Sequence, residues 1–398
     1  MKRGIFVINL LIAAMIFVCL NSAHAAEVRG VTPTEIKLAC LVDFSGPGKF
    51  AGPILALGAK AYVQYINDQG GIHGRKIKLI VEDNGIMPNT TLAAAKKVIF
   101  KDEVFAIGFN LGSAGSSAII PLCEENETIM MPHGANRQFY NPGNKWVFVP
   151  YATQYNMASR AFEFIVLERD RNARIGMIYQ DDGYGREGLS GVEAAAKHLN
   201  AKIVKAAPYK IGTVDLSPQM RMMKEANVDW IIAWTYLPQT GAILKAKAQM
   251  KWDVNVIGPN TTAYRMVFPM LKGLAQGYMA VTPYVPWEDT PQRTKDLLQK
   301  YAPIDKVARA PILFFGSWTY FAAMIEGLRL AGPNLTPESF ITGLEKVKNL
   351  DVGGICPDIT FTPSRHVGYF SSLVVQADAK AGRFRIISPI KDPVTPQD

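Results

Sequence analysis

Nearly continuous apolar runs alternate along this chain with stretches in which apolar residues recur every three or four positions. Short apolar runs of this kind are typical of parallel strands that are buried on both faces. The first two runs lie at residues 35–42 and 76–83. Further strands are predicted at residues 104–108, 128–131, 145–149, 173–179, 228–234 and 254–258.

Helical periodicity occupies the intervals between these runs. It is clearest at residues 54–66, with Pro53 in the first turn and the glycine pair Gly70 and Gly71 after the last turn. Further helices are predicted at residues 90–100, 116–126, 156–168, 186–199, 216–226, 239–250 and 313–330. Strands that alternate with helices in this way predict an α/β fold with parallel sheets.

The N-terminus predicts export. Lys2 and Arg3 precede an apolar stretch at residues 5–20 and an Ala-x-Ala site at 23–25, which together predict a cleaved signal peptide of residues 1–25. The apolar stretch is shorter than the roughly 18 residues of a membrane span. The remaining chain of about 370 residues is too long for one hydrophobic core and predicts two lobes.

Charge and cysteine content narrow the class of protein. Without Lys2 and Arg3 the chain has 41 basic and 34 acidic residues, a formal net charge of +7, and these charges are scattered. Scattered charge favours solubility and gives no reason to expect a nucleic-acid partner. No C-x-x-C or histidine-rich cluster predicts a metal site. Three cysteines remain, Cys40, Cys123 and Cys356, and their contexts suit buried thiols at least as well as a disulfide.

Two glycine-rich turns follow predicted strands and open predicted helices, at residues 43–52 and 108–117. Such a turn is where an open parallel sheet usually meets a small solute. In the second turn, glycines and free helix N–H groups predict a carboxylate cradle that includes Asn110 and Ser113. The turn lacks the motif of a phosphate-binding loop and the spacing of a nucleophile elbow. A plain helix N-cap at Ser113 is the alternative.

In order and spelling, residues 35–83 resemble the start of the leucine/isoleucine/valine-type periplasmic binding proteins of ABC importers, and later segments extend the resemblance over nearly the whole exported chain. The resemblance implies a type I periplasmic-binding-protein fold: two Rossmann-like lobes with parallel sheets, joined by three hinge crossovers. These would fall near residues 150–154, 282–286 and 351–357. The N-terminal lobe would comprise residues 26–150 and about 284–353. The C-terminal lobe would comprise residues 151–283 and about 354–398.

The resemblance also implies contacts with a solute from the first lobe. Ser113 and nearby backbone N–H groups would hold a carboxylate. The segment 131–136 is similar to a family segment whose backbone carbonyl and hydroxyl face the solute, which nominates Gly134 and Asn136, with His133 close by. His133 taken alone is more typical of a satisfied loop histidine, because no nucleophile motif accompanies it.

Three aromatic residues match turns that cover the solute in the family: Phe50, Tyr184 and Tyr236. Aromatic side chains from three separate turns suit an apolar solute body or a stacked ring. Plain packing is the alternative for each of them.

Two amides stand where amino-acid binders of the family commonly have acidic residues. They are Gln154 at the first crossover and Asn260 after the strand that ends at Gly258. A buried α-ammonium needs a carboxylate partner, and neither amide supplies that charge. Asp181, Asp182 or Glu288 could supply it instead, so both an amino acid and an aromatic or aliphatic carboxylate without the ammonium remain open.

The function that follows is capture of a small carboxylate-bearing solute by hinge closure and its delivery to an ABC permease with its ATPase. We expect a periplasmic monomer with no cofactor, no metal and no catalytic residues. A ligand-sensing subunit for a receptor or regulator is an alternative with the same fold. A hydrolase using His133 and a serine is disfavoured, because the sequence shows no triad motif, metal set or nucleotide loop.

Overall fold

The computed structural model describes residues 28–134, 136, 137, 140 and 144–396, and the predicted signal peptide lies outside these residues. The first lobe is built on a four-stranded sheet with the order β2-β1-β3-β4, and every pairing in it is parallel. Its strands are β1 (Glu35–Val42), β2 (Lys76–Asp83), β3 (Ala106–Leu111) and β4 (Ile129–His133). The apolar runs form these strands because β1 and β3 are almost wholly buried, as strands covered by helices must be.

Among the described residues, the first lobe also contains seven α-helices. Three of them come from the first part of the chain: α1 (Gly52–Asp68), α2 (Pro88–Lys96) and α3 (Ser113–Glu125). Four come from far along the chain: α9 (Gln292–Leu298), α10 (Ile304–Arg309), α11 (Pro311–Ala331) and α12 (Pro337–Glu345). Of these seven, α1, α2, α3 and α11 contact the sheet. Helix α11 is apolar on nearly all sides because it packs between α1, α12 and β3. The first lobe is therefore discontinuous in sequence.

The second lobe is built on a seven-stranded sheet with the order β11-β10-β9-β8-β7-β5-β6. Its strands are β5 (Ile175–Gln180), β6 (Ile203–Tyr209), β7 (Trp230–Trp234), β8 (Asn255–Gly258), β9 (Met279–Thr282), β10 (Ser372–Asp378) and β11 (Arg383–Lys391). Strands β5 to β9 pair in parallel, whereas β10 is antiparallel to both β9 and β11. Its helices are α4 (Gln154–Glu163), α5 (Gly183–His198), α6 (Ser217–Glu225), α7 (Leu237–Gln249) and α8 (Val267–Leu271).

The chain passes between the lobes at the places where the sheets end. The first passage runs from β4 to α4 and the second from β9 towards α9. Before β10, residues 359–368 still lie beside the first lobe, because Ile359 pairs with Leu350 and Val367 pairs with Val149. The chain rejoins the second sheet at Ser372.

The strand predicted at residues 145–149 is reduced to isolated bridges, from Val147 to Met130 and from Val149 to Val367. The segment leaves the sheet there because it turns into the first passage between the lobes. Among the described residues, no helix is both long enough and apolar enough to cross a membrane. The described part of the chain also holds no group of three or more metal-ligating side chains.

Candidate functional site

The carboxyl edge of the first sheet brings together the start of α3 and the end of β4. Gly112 precedes the helix with φ of +102°, and a side chain there would collide with Ile86. Gly112 holds the N-cap position and Ser113 is the first residue of the helix, so Ser113 is not the N-cap. A Cβ placed on Gly134 would lie 2.7 Å from the Ser113 hydroxyl oxygen. The structure thus brings Ser113 and Gly134 side by side.

Asn110 lies at the end of β3 and is fully buried. Its amide nitrogen donates to the Ser116 hydroxyl at 2.8 Å, and its amide oxygen accepts from the Asn84 amide at 3.0 Å. Both polar ends therefore have partners inside the first lobe. Asn110 therefore stabilises the glycine-rich turn through its hydrogen bonds to Ser116 and Asn84.

His133 ends β4 inside a group of aromatic rings. It stacks on Tyr151 with ring centroids 5.0 Å apart and an interplanar angle of 12°, and Phe109 and Tyr320 contact its other sides. Burial lowers the pKa of His133 to about 4. The imidazole is therefore neutral at physiological pH and forms part of an uncharged wall.

The loop after β4 reaches the second lobe. The Asn136 amide oxygen lies 3.2 Å from where a Cβ on Gly183 would stand, at the start of α5. The next residue, Arg137, holds its guanidinium 4.0 Å above the Tyr155 ring of α4. The Arg137 backbone N–H also donates to Glu187 Oε1 of α5 at 3.2 Å. The two lobes are thus in contact at this loop.

A pair of stacked tyrosines lies at the starts of helices α5 and α7 in the second lobe. Tyr184 and Tyr236 have ring centroids 4.8 Å apart at 17°. The Tyr184 hydroxyl is hydrogen-bonded to the Thr261 hydroxyl at 3.0 Å. Burial raises the pKa of both phenols well above the ordinary value, so both are neutral. Two of the three predicted aromatic residues, Tyr184 and Tyr236, therefore lie together.

Phe50 lies apart from these rings, in the turn between β1 and α1. It keeps 41% of its surface exposed. The turn itself is organised by Asp43, a buried carboxylate that accepts the N–H groups of Ser45, Gly46 and Gly48. Sequence reasoning missed Asp43, although an aspartate before a Ser-Gly turn is a signal for this local bonding.

Gln154 and Asn260 are buried polar groups with unused acceptors. They are 3% and 2% exposed, and Gln154 Oε1 and Asn260 Oδ1 lack a hydrogen-bond partner in the described part of the chain. The Gln154 amide nitrogen lies 3.5 Å from the Tyr151 hydroxyl, which connects it to the ring stacked on His133. A buried acceptor left unpaired costs about 1–3 kcal/mol, so each amide is suited to accept a hydrogen bond from a bound group.

Three acidic residues could supply the carboxylate partner of an α-ammonium in place of Gln154 and Asn260, but each already has a protein partner. Asp181 pairs with Arg186 at 2.9 Å, and Glu288 pairs with Arg265 at 3.3 Å. Asp182 caps α5 through the Gly185 N–H and accepts from the Gln180 amide.

Glu187 is the acidic residue that sequence reasoning missed. It follows Tyr184 by three positions on α5 and therefore shares a helix face with it, which is the one signal the sequence offers. Burial raises the pKa of Glu187 to about 7, although the Arg137 N–H and guanidinium act in the opposite direction. The Glu187 carboxyl therefore titrates near neutral pH.

A model of the periplasmic binding protein family matches residues 35–383. The leucine-specific-binding protein of Salmonella typhimurium is 25% identical over 260 residues, which cover 65% of this chain and 70% of that protein. A fatty acid ABC transporter substrate-binding protein from Thermomonospora curvata superposes with a TM-score of 0.81 at 20% identity, covering 93% of this chain and 95% of the other. An R. palustris ABC transporter solute-binding protein in complex with 4-hydroxybenzoate superposes with a TM-score of 0.77 at 18% identity, covering 90% and 98%.

The structural likenesses confirm the predicted two-lobed α/β fold, and the family match confirms the resemblance drawn from the sequence. Because that match spans most of the chain, the protein belongs to the periplasmic binding protein family.

Proposed function

We propose that this protein is the periplasmic solute-binding component of an ABC importer, which captures a small carboxylate-bearing solute between its lobes and delivers it to a permease and its ATPase. The observation that carries the proposal is the pair of buried acceptors on Gln154 and Asn260, which have no protein partner among the described residues. Gln154 is connected through Tyr151 to the ring stacked on His133, and Thr261, next to Asn260, is hydrogen-bonded to Tyr184. Family membership supports the same assignment.

The first lobe would supply the anion site. The free N–H groups at the start of α3 carry the positive end of the helix dipole, and the Ser113 hydroxyl adds a donor. Gly134 lies against that hydroxyl without a side chain, which leaves room for a carboxylate. Asn136 would contact the solute from the next turn of the same loop.

The second lobe would supply the apolar wall and the selectivity. Tyr184 and Tyr236 would cover the solute body, and Phe50 would reach it from the exposed turn of the first lobe when the cleft is filled. Gln154 and Asn260 would accept hydrogen bonds from donors on the solute. No bond is made or broken in this scheme, because the groups described position a solute and supply no nucleophile.

We further propose that the chain crosses between the lobes at the first two of the three predicted positions, near residues 150–154 and 282–286. At these two crossings the proposed lobe limits are the ones predicted from the sequence, between residues 150 and 151 and near residues 283 and 284. The third crossing would lie closer to Ser372 than to residues 351–357, since residues 359–368 bridge to the first lobe. Hinge motion about these segments would open and close the cleft.

The solute class is the finer part of the proposal. The relatives and neighbours named above are described as binding leucine, a fatty acid and 4-hydroxybenzoate. In this chain Asp181, Asp182 and Glu288 are each engaged with a protein partner. We therefore favour a carboxylate that lacks an α-ammonium and has a hydroxyl or similar donor on its body.

A thermal-shift screen of the purified protein tests this function. The panel would compare leucine, valine and phenylalanine with benzoate, 4-hydroxybenzoate and short-chain fatty acids. A solute at about 100 times its dissociation constant adds roughly 2.7 kcal/mol to the free energy of unfolding. A shift with the acids alone supports the proposal, a shift with leucine or valine alone reassigns the solute to amino acids, and no shift with any of them rejects this solute class.

A further inference from the structure

Arg137, Tyr155 and Glu187 form an interlobe cluster that the predicted solute contacts do not include. Arg137 belongs to the loop after β4 of the first lobe, whereas Tyr155 and Glu187 belong to helices α4 and α5 of the second lobe. The guanidinium lies over the Tyr155 ring at 4.0 Å, and the Arg137 N–H donates to Glu187 at 3.2 Å. These contacts join groups carried by different sheets, so they exist only while the lobes are together.

The environment of Glu187 is nearly uncharged. In the described part of the chain, the groups that interact electrostatically with it are Arg137 and Tyr140 from the loop and Tyr151 from the first crossing, and the Tyr155 ring of α4 lies under the Arg137 guanidinium. The phenols of Tyr140 and Tyr151 are neutral, since burial raises the pKa of each. Arg137 is the single cation in this set, and its guanidinium is engaged by the Tyr155 ring.

We propose that Arg137 and Glu187 form the latch of the closed state, and that Glu187 takes up a proton when the lobes close. The inference rests on the hinge closure assumed in the proposed function. Separation of the lobes removes the loop from Glu187 and returns its carboxyl to water. The closed state is thereby linked to protonation of a residue outside the solute contacts.

The direction of the pH dependence follows from the two states. An exposed glutamate has an ordinary pKa of about 4.3, whereas burial in the closed arrangement raises the pKa of Glu187 to about 7. The closed state therefore binds more protons between these values, and its population relative to the open state falls as pH rises through 7. With these two values the ratio of closed to open protein decreases about 30-fold from pH 5.5 to pH 8.

A spin-label distance measurement on solute-free protein tests the latch without needing to know the solute. Labels at cysteines replacing Glu125 and Lys197 would sit at the C-terminal ends of α3 and α5. The N-terminal ends of these helices face the cleft, so the distance between labels reports the separation of the lobes. Native thiols do not interfere because Cys40, Cys123 and Cys356 are buried.

We expect the short-distance population of the labelled protein to grow as pH falls from 8 to 5.5. Glu187→Gln should abolish this growth, and Arg137→Gln should lower the closed population at every pH. Glu193→Gln removes an exposed carboxylate from the same helix and should retain the full response. A pH-independent distance distribution, or an unchanged response in Glu187→Gln, would overturn the proposal. Since no solute is used, such a failure leaves the proposed function to its own test.

Discussion

Replacing Asn260 by aspartate should convert the site from a binder of simple acids towards a binder of amino acids. Asn260 is 2% exposed, and its Oδ1 has no hydrogen-bond partner among the described residues. Aspartate is the same size as asparagine, so the substitution adds a charge without adding volume. The change therefore tests charge alone at the position where sequence reasoning located the departure from amino-acid binders.

The expected magnitude follows from burial at this position. A hydrogen bond to a charged group is worth about 1.5–3 kcal/mol, which predicts roughly a 10- to 150-fold gain in affinity for an α-ammonium. The same carboxylate would also repel a solute carboxylate, and for a chosen separation of about 8 Å the repulsion is about 2 kcal/mol at an effective dielectric constant of 20. Simple acids should therefore bind about 30-fold more weakly.

Titration calorimetry at pH 7.5 with leucine and with 4-hydroxybenzoate would measure both changes. Asn255→Asp is the matched control, because Asn255 is exposed at the start of the same strand, β8. Circular dichroism would establish that both variants fold. If Asn260→Asp left both affinities equal to those of the control, or changed them in the same direction, Asn260 would not face the solute and the reasoning would be refuted.

Three further outcomes can be measured. Ser113→Ala should weaken solute binding by about 1–3 kcal/mol in calorimetry, because its buried hydroxyl would be a direct donor; unchanged affinity would remove it from the site. Tyr184→Ala should accelerate solute release in stopped-flow and lower the free energy of unfolding by about 3–5 kcal/mol, whereas an unchanged release rate would exclude the covering role. A thiol-reactive dye should label none of Cys40, Cys123 and Cys356 before unfolding and all three afterwards, since burial raises the pKa of each; prompt native labelling would contradict this.

Much of the fold could be predicted because its signals are local. Each of these signals lies within one element: the apolar runs in β1 and β3, and the helical periodicity in α1. A strand that is buried on both faces needs consecutive apolar residues, so its sequence shows a continuous apolar run. Strands β10 and β11 could not be predicted in the same way. Strand β10 pairs with β9, which lies about 90 residues earlier, and no local pattern encodes that antiparallel partner.

The candidate site likewise has features that the sequence could predict and features that it could not. The adjacency of Ser113 and Gly134 follows from two neighbouring parallel strands, whose carboxyl ends must meet at one edge. The burial of Glu187 comes instead from a loop 50 positions earlier that belongs to the other lobe. The spacing of three residues on one helix shows that Glu187 lies near Tyr184. How far the Glu187 carboxyl is shielded from solvent depends instead on how the two lobes meet.

The predicted solute contacts are neutral side chains, and this neutrality affects both which solute binds and how readily the lobes close over it. His133 is a neutral imidazole, Tyr184 and Tyr236 are neutral phenols, and Gln154 and Asn260 are neutral amides. Closing such a cleft over an amino acid would bury an ammonium without a fixed counter-charge, which costs several kcal/mol. In the proposed site, closing over a simple carboxylate would bury one negative charge against the helix α3 N-terminus, where backbone N–H groups would compensate it. The proposed protonation of Glu187 on closure would remove a second negative charge from the same closed state, so the latch and the anion site would favour the same class of solute.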